Sequence, residues 1–170
     1  MAVLDVLKMG NPILNQIAEP VSKFDKQLKK LAKDMIDTMI IEDGIGLAAP
    51  QVGQSIRMIV IDLSLIDESL EPTAYVNPEI VERDGDFVYE EGCLSVPGIR
   101  EEVNRSKHIR VNYQDLDGKS HSLEAEDLLA VVFQHEIDHL NGILFVQKLS
   151  PIKQKLLNDQ IKQIKETSVY

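Results

Sequence analysis

The sequence predicts an α+β fold in a single domain over residues 1–170: a central apolar helix packed among short antiparallel sheets, with further helices in the N-terminal half and at the C-terminus. Three observations predict it. Apolar residues recur at helical spacing after Lys26, after Glu126 and after Ser150. The chain between the first two helices is cut by turn residues into short β-rich runs. At 170 residues, with 44% apolar and 27% charged side chains, the chain suffices for one core, and no stretch nears the roughly 20 apolar residues of a membrane span.

Ser22 and Asp25 offer N-cap oxygens for a helix over Lys26 to Ile41, where Leu28, Leu31, Met35, Ile36, Met39 and Ile40 form the apolar stripe. Glu42-Asp43-Gly44 ends it. Gly44 to Gly53 is too rich in glycine and small residues to pack as a helix, which points to extended backbone open to a visitor. Arg57 to Leu63 reads as a strand, with shorter strand-like stretches at Ala74 to Val76, Ile80 to Glu82 and Asp86 to Tyr89. Ile109 to Tyr113 and Ser120 to Leu123 flank Asp117-Gly118, a dipeptide suited to a tight turn with positive φ, and read as a hairpin. From Glu126 onward, Leu128, Leu129, Val131, Val132, Phe133, Ile137 and Leu140 are apolar on most sides, which marks a buried helix stopped at Asn141-Gly142. Ser150-Pro151 starts a last helix with Ile152, Leu156, Leu157, Ile161 and Ile164 on its apolar face.

A formal net charge of -10 excludes broad attraction to phosphate backbones, so no sequence-specific nucleic-acid binding is expected. No membrane partner is expected either. The N-terminal stretch lacks a basic region followed by a long apolar run and a small-residue cleavage site, which makes the cytoplasm the expected compartment. Cys93 is the only cysteine, so no intrachain disulfide forms and its role is packing, reactivity or metal ligation.

His135 and His139 stand four residues apart on the central helix, so both imidazoles leave one face and reach one ion. His-Glu-Ile-Asp-His matches H-E-x-x-H, in which the histidines bind metal and the glutamate, here Glu136, serves as general base. His108 and His121 lie in strands with no companion ligand and read as surface or hydrogen-bonded side chains. A hydrolytic site needs a third protein ligand and an open position. Downstream, Asp159 and Glu166 read more naturally as solvated charges. Cys93, among the turn residues of Glu90 to Pro97, is the better candidate, although a small buried hydrophobe is the alternative.

Three segments, Gly44-Ile45-Gly46-Leu47-Ala48-Ala49-Pro50-Gln51, Glu91-Gly92-Cys93-Leu94-Ser95 and Gln134-His135-Glu136-Ile137-Asp138-His139, together resemble the peptide deformylases in order and spacing along essentially the whole chain. The helix after Leu149-Ser150-Pro151 resembles the bacterial class with an extended helical tail. The resemblance implies a hydrolase that removes the formyl group from N-formylmethionine at the start of nascent polypeptides and releases formate. It implies Cys93, His135 and His139 as metal ligands, Glu136 as general base and acid, and Gln51 with the backbone N–H of Leu94 as oxyanion donors. It implies ferrous iron, with zinc, nickel or cobalt possible in the same site, where the ligand set alone suggests zinc.

Under that resemblance Gly44, Ile45 and Gly46 pair main chain to main chain with the substrate. Gly92, in the cysteine segment, is a further substrate-binding candidate, and Arg100 is a candidate for the peptide carbonyls or carboxylate. Glu91 is expected to pair with Arg105. Ile45, Leu128, Val131 and Val132 are candidates for the methionine pocket and equally suit plain core. Pro50 removes a backbone donor without shifting Gln51 out of register. The tail from Lys148 carries five lysines against Asp159 and Glu166, a local charge of about +3 that suits a solvated face or a ribosome contact. A monomer is expected. Two rival readings remain: a zincin-like endopeptidase with a downstream carboxylate ligand, and a non-catalytic module that binds metal or formylated peptides.

Overall fold

The computed structural model describes residues 3–167. Seven strands make a five-stranded antiparallel sheet, in the order β1 (Gly46–Ala48), β2 (Met58–Ile61), β3 (Thr73–Asp84), β6 (His108–Gln114) and β7 (Ser120–Glu126), and a separate hairpin of β4 (Phe87–Cys93) and β5 (Val96–Arg105). The helices are α1 (Lys26–Ile41), α2 (Asp127–Leu140), α3 (Pro151–Leu156) and α4 (Asn158–Thr167). This is the expected α+β arrangement, with α2 central.

The sheet lies between two helices, and β2 shows why. All four of its residues are buried. Ile59 and Ile61 turn to one face, where they pack with Tyr75, Ile109, Val111 and the α2 side chains Val132, Phe133, Ile137 and Leu140. Met58 and Val60 turn to the other, against Leu28, Met35 and Met39 of α1. A strand covered on both faces must be apolar at every position, which is why this run stands out in the sequence. A third cluster joins Val96, Ile99 and Val103 of β5 to Met9, Leu14, Phe145, Val146 and Ile164.

Several boundaries differ from the sequence reading. Asp25, not Ser22, caps α1, its side chain accepting from Leu28 N; Ile40 of the supposed stripe is exposed. The Gly44 to Gly53 segment is extended only through Ala48 and then coils into a 3-10 turn, Ala49–Val52. The stretches around Ala74 and Ile80 are one strand, β3, bent at Asn77, which takes φ 49° while its amide bonds Val21 N, Val21 O and Gln114. No strand was expected at β5, because Glu90 to Pro97 reads as turn residues and two of the later inward positions, Glu101 and Arg105, are charged. The β6–β7 hairpin forms as expected, with Gly118 at φ 85°.

The last helix is broken at Leu157 into α3 and α4. Ser150 caps α3 as expected, its Oγ accepting from Lys153 N at 3.3 Å. Its apolar face is only partly used: Ile164 is buried and Leu157 and Ile161 pack on the β5 cluster, whereas Ile152 and Leu156 are exposed. Among the described residues no helix is long and apolar enough to cross a membrane.

Candidate active site

Helix α2 is fixed at both ends and along its side. Strand β7 runs into it without a loop, and the change of direction falls on Asp127, a non-glycine residue at φ 53° whose N–H donates to Lys107 O at 2.9 Å. Gln134 Nε2 donates to Ser106 O at 2.8 Å, and Gln134 Oε1 accepts from Ser106 N at 3.0 Å. At the C-terminal end Arg57 donates to Leu140 O at 2.9 Å and to Asn141 Oδ1 at 3.0 Å, placing a cation against the helix's free carbonyls. The helix is thus a rigid bar, and His135, Glu136 and His139 project from it in a fixed relation.

Cys93 is the last residue of β4 rather than a loop residue, and the turn Leu94-Ser95 returns the chain into β5. This brings its sulfur to 3.4 Å from His139 Nε2. One donor atom each of Cys93, His135 and His139 lies within 4.8 Å of the others. His135 Nδ1 donates to Glu91 Oε1 at 2.8 Å, which fixes the ring's orientation and leaves Nε2 as the atom available to an ion. Glu91 is held in turn by Arg105, which meets its two oxygens at 2.6 and 2.9 Å, and Arg105 also reaches Asp138 Oδ2 at 2.8 Å. The expected Glu91–Arg105 pair is therefore real, buried and extended by Asp138.

Among the described residues, two buried side-chain polar atoms, Glu136 Oε1 and His139 Nδ1, have no hydrogen-bond partner. A buried carboxylate oxygen without a partner is costly unless it faces a ligand or water. One cysteine sulfur and two imidazoles are the donors that borderline-soft divalent transition metals prefer, so the residues present fit such an ion.

Gln51 comes to the same place from the 3-10 turn after β1. Its Oε1 accepts from Ala48 N at 2.9 Å, and its Nε2 donates to Ser95 Oγ at 3.0 Å and to Cys93 Sγ at 3.5 Å. The N-terminal segment straps both turns down: Leu7 N donates to Gln51 O at 2.7 Å and Met9 N to Ser95 O at 2.8 Å. At two glycines of the site a side chain comes close. A Cβ on Gly46 would stand 2.6 Å from Glu136 Oε2, and one on Gly92 would stand 2.7 Å from Arg100 Nη1. Gly46 thus makes room for the carboxylate, and Gly92 for the guanidinium.

Burial pushes the Glu136 carboxyl up to about 7, further than the neighbouring His135 pulls it down. Burial opposes charge on His135, but Glu136, Cys93 and Glu91 outweigh it and raise its pKa well above the ordinary imidazole value. Burial together with the positive charges of His135 and Arg105 holds His139 well below that value. Burial alone would raise Glu91, yet its hydrogen bonds to Arg105 and His135 hold it below the usual carboxylate range.

A cleft of about 480 Å³ opens over these groups. Gly44, Ile45, Gly46, Gln51, Gly92, Cys93, Leu94, Arg100, Leu128, Val131, Val132, His135 and Glu136 all line it, so the structure brings together every residue expected to bind metal or substrate or to act on it except His139, which lies beneath, 1% exposed. Val131 and Val132 are also buried, and Val132 belongs to the core under the sheet, so pocket and core share side chains. His121 pairs with Asp115 at 2.7 Å and His108 lies 3.8 Å from Glu124, in line with their reading as ordinary polar side chains. Asp159 and Glu166 are exposed on α4 and lie outside the three-residue donor cluster, which removes the ligand that an endopeptidase reading needs. Sequence reasoning missed Ser95, Asp138 and the Leu7 and Met9 straps. Asp138 was detectable as the residue three after His135 on one helix face; the straps are backbone contacts that leave no mark on side-chain pattern.

The chain matches the family model described as polypeptide deformylase over residues 3–155. A peptide deformylase of Chromobacterium violaceum is 48% identical over 163 residues, covering 96% of each chain. One of Brucella suis biovar 1 is 48% identical over 165 residues, covering 96% of this chain and 94% of its own. Among solved structures, a peptide deformylase from Legionella pneumophila matches with a TM-score of 0.89 at 43% identity, covering 98% of this chain and 97% of its own. The peptide deformylase from Thermus thermophilus matches at 0.90 and 40%, covering 98% and 99%.

Proposed function

This chain belongs to the polypeptide deformylase family, metal-dependent hydrolases that remove the N-formyl group from nascent peptides, and on that premise we propose the following assignment of its residues. Cys93, His135 and His139 hold the ion, and Glu136 is the general base and acid. The observation that carries it is the convergence of the three donors beside a buried Glu136 oxygen with no partner, at the floor of an open cleft. Ferrous iron is the proposed ion, and zinc, nickel or cobalt suit the same donors. Once bound, such an ion polarises the formyl carbonyl and makes water acidic enough to be deprotonated near neutral pH.

The peptide backbone lies along Gly44 to Gly46 as an added strand, and the methionine side chain enters the apolar wall of Ile45, Leu128, Val131 and Val132. Arg100, seated over Gly92, reaches the peptide carbonyls. Glu136, with its pKa near 7, takes a proton from the attacking water and passes one to the departing amine. Water oxygen adds to the formyl carbon, the C–N bond breaks, and formate and a free α-amine leave. Gln51 Nε2 and Leu94 N–H face the developing negative charge on the formyl oxygen. Gln51 gives up its long contact to Cys93 Sγ for this and keeps Ser95.

The whole chain serves as one catalytic domain, a monomer in the cytoplasm, with the lysines of its tail offered to the ribosome. Anaerobic turnover of a formyl-Met peptide, read as formate release, tests the assignment. Glu136→Ala is expected to keep its metal and lose activity, and Cys93→Ala to lose the metal. Activity surviving the first change, or full metal occupancy surviving the second, overturns the roles.

A further inference from the structure

Gln51 bridges two parts of the molecule that share no strand ladder. It lies in the 3-10 turn after β1, an edge strand of the five-stranded sheet, whereas Ser95 lies in the turn of the separate β4–β5 hairpin. The 3.0 Å bond from Gln51 Nε2 to Ser95 Oγ crosses between them. An amide held this way is placed only as well as the two turns are placed against each other. The N-terminal segment donates to both turns, at these same two residues: Leu7 N to Gln51 O at 2.7 Å and Met9 N to Ser95 O at 2.8 Å. Two residues of chain reach at most about 7 Å, so the segment sets the spacing of the two carbonyls. Its own ends are anchored. Leu4 N donates at 2.8 Å to Thr38 Oγ1 on α1, and Leu14 is fully buried in the β5 cluster. Neither Leu7 nor Met9 lines the catalytic cleft.

We propose that the backbone N–H groups of Leu7 and Met9 make the N-terminal segment a positioning element for the Gln51 side-chain amide, one that raises turnover without touching the substrate. The inference rests on the assignment of Gln51 as an oxyanion donor. Such a donor lowers the barrier only where it meets the charge that develops in the transition state, so loosening it lowers kcat and leaves substrate binding as it was. The local backbone permits the removal of one N–H with little else disturbed. Asn11 N donates to Lys8 O at 3.1 Å, and of the two residues between them Gly10 alone has positive φ, 109°. Lys8 to Asn11 is therefore a type II turn with Met9 at its second position, where proline is favoured. Proline there keeps the turn and deletes the donor to Ser95 O.

The test compares Met9→Pro with Met9→Ala in the metal-loaded full chain, with kcat and KM for a formyl-Met peptide read by formate release. Met9 is 3% exposed, so both changes give up its packing, and only the first also removes the N–H. Met9→Pro is expected to show kcat about 3- to 10-fold below Met9→Ala, the worth of one ordinary hydrogen bond, with KM and metal content equal in the two. Gln51→Ala by itself is expected to lower kcat about 100-fold. In the Gln51→Ala background the two Met9 variants should have the same kcat, because the amide that the N–H positions is gone. A loss of general stability would instead persist there. Should Met9→Pro show no melting transition, Gly10→Ala against the parent carries the same comparison, since alanine strains the turn at φ 109° and removes no side chain. A ratio within twofold of one in the Gln51 background of the parent, or the same ratio retained after Gln51→Ala, overturns the positioning role and leaves the assignment of Gln51 standing. A Gln51→Ala variant with the kcat of the parent overturns that assignment, and the positioning role with it.

Discussion

Replacing Gly46 by alanine adds one methyl group at the point where β1 passes Glu136, the proposed general base, and its effect can be worked from distances. The new Cβ would lie 2.6 Å from Glu136 Oε2 and 3.0 Å from both Cδ and Cγ. Ordinary contact begins near 3.4 Å, so the carboxylate has to retreat by about 0.8 Å, a displacement of the size that costs on the order of 100-fold in rate when it falls on a reacting group. The backbone of Glu136 cannot follow, since Gln134 and Arg57 pin α2 on either side. Gly46 is in a strand and has no positive φ, so alanine suits its backbone, and reduced freedom of the unfolded chain offsets the local crowding. The expected outcome is kcat lowered about 100-fold, near 2.7 kcal/mol of barrier, with KM changed only a few-fold because the main-chain N–H and C=O remain. Metal content should stay at the parent value, because the atoms nearest the added methyl belong to Glu136 and not to the three proposed ligands. Steady-state formate release, metal analysis and thermal melting on one preparation decide the matter. A kcat within threefold of the parent, with metal and melting temperature unchanged, would refute the claim that Gly46 exists to seat the Glu136 carboxylate.

Four further outcomes follow from the same geometry. Glu91→Gln removes the charge that binds Arg105 and weakens the hold on His135 Nδ1, so metal affinity measured by competition with a chelator should fall about 10- to 100-fold. Ser95→Ala deprives the Gln51 amide of its 3.0 Å partner and should lower kcat by about 3- to 10-fold, the worth of one ordinary hydrogen bond, with metal content unchanged. Stripping the ion with a chelator should abolish formate release and lower the melting temperature, both restored by adding back a divalent transition metal, since a ligand that binds only the folded state stabilises it. Deleting residues 151–170 uncovers Val96, Ile99 and Val103 by removing Ile164, and should lower the melting temperature by about 3–12 °C. If the deletion changes neither peptide turnover nor co-sedimentation with ribosomes, the proposed ribosome contact of the tail is to be dropped.

Much of the site was legible because its chemistry sits in short strings. His135, Glu136 and His139 share one helix, where local geometry alone sets their relation, and the spacing of four identifies their common face. The wall of Leu128, Val131 and Val132 was legible for the same reason. The strand pattern was readable where burial is on both faces, as in β2, and failed where charged residues point inward. At β5, Arg105 is buried only because Glu91 on the neighbouring strand and Asp138 on α2 neutralise it, and no pattern within β5 carries that information. The apolar face of the last helix failed in the opposite sense: Ile152 and Leu156 obey helical spacing yet meet nothing, because the break at Leu157 turns α4, and not α3, onto β5.

The sequence by itself determined the helix that carries two imidazoles and a carboxyl on neighbouring positions, the sole cysteine available as a third donor, and the glycine-rich segment beside them, since each is a matter of residue type and short-range spacing. Only the tertiary structure decided that Cys93 stands at a strand end 3.4 Å from His139, that Glu91 orients His135, that Ser95 and the N-terminal strap hold Gln51, and that Gly46 lies against the Glu136 carboxylate. Each of these joins residues far apart in the chain, or ties backbone to backbone. Such contacts form only once the sheet has closed around α2 and lowered the local dielectric, where a buried charge or donor must find a partner or face a ligand.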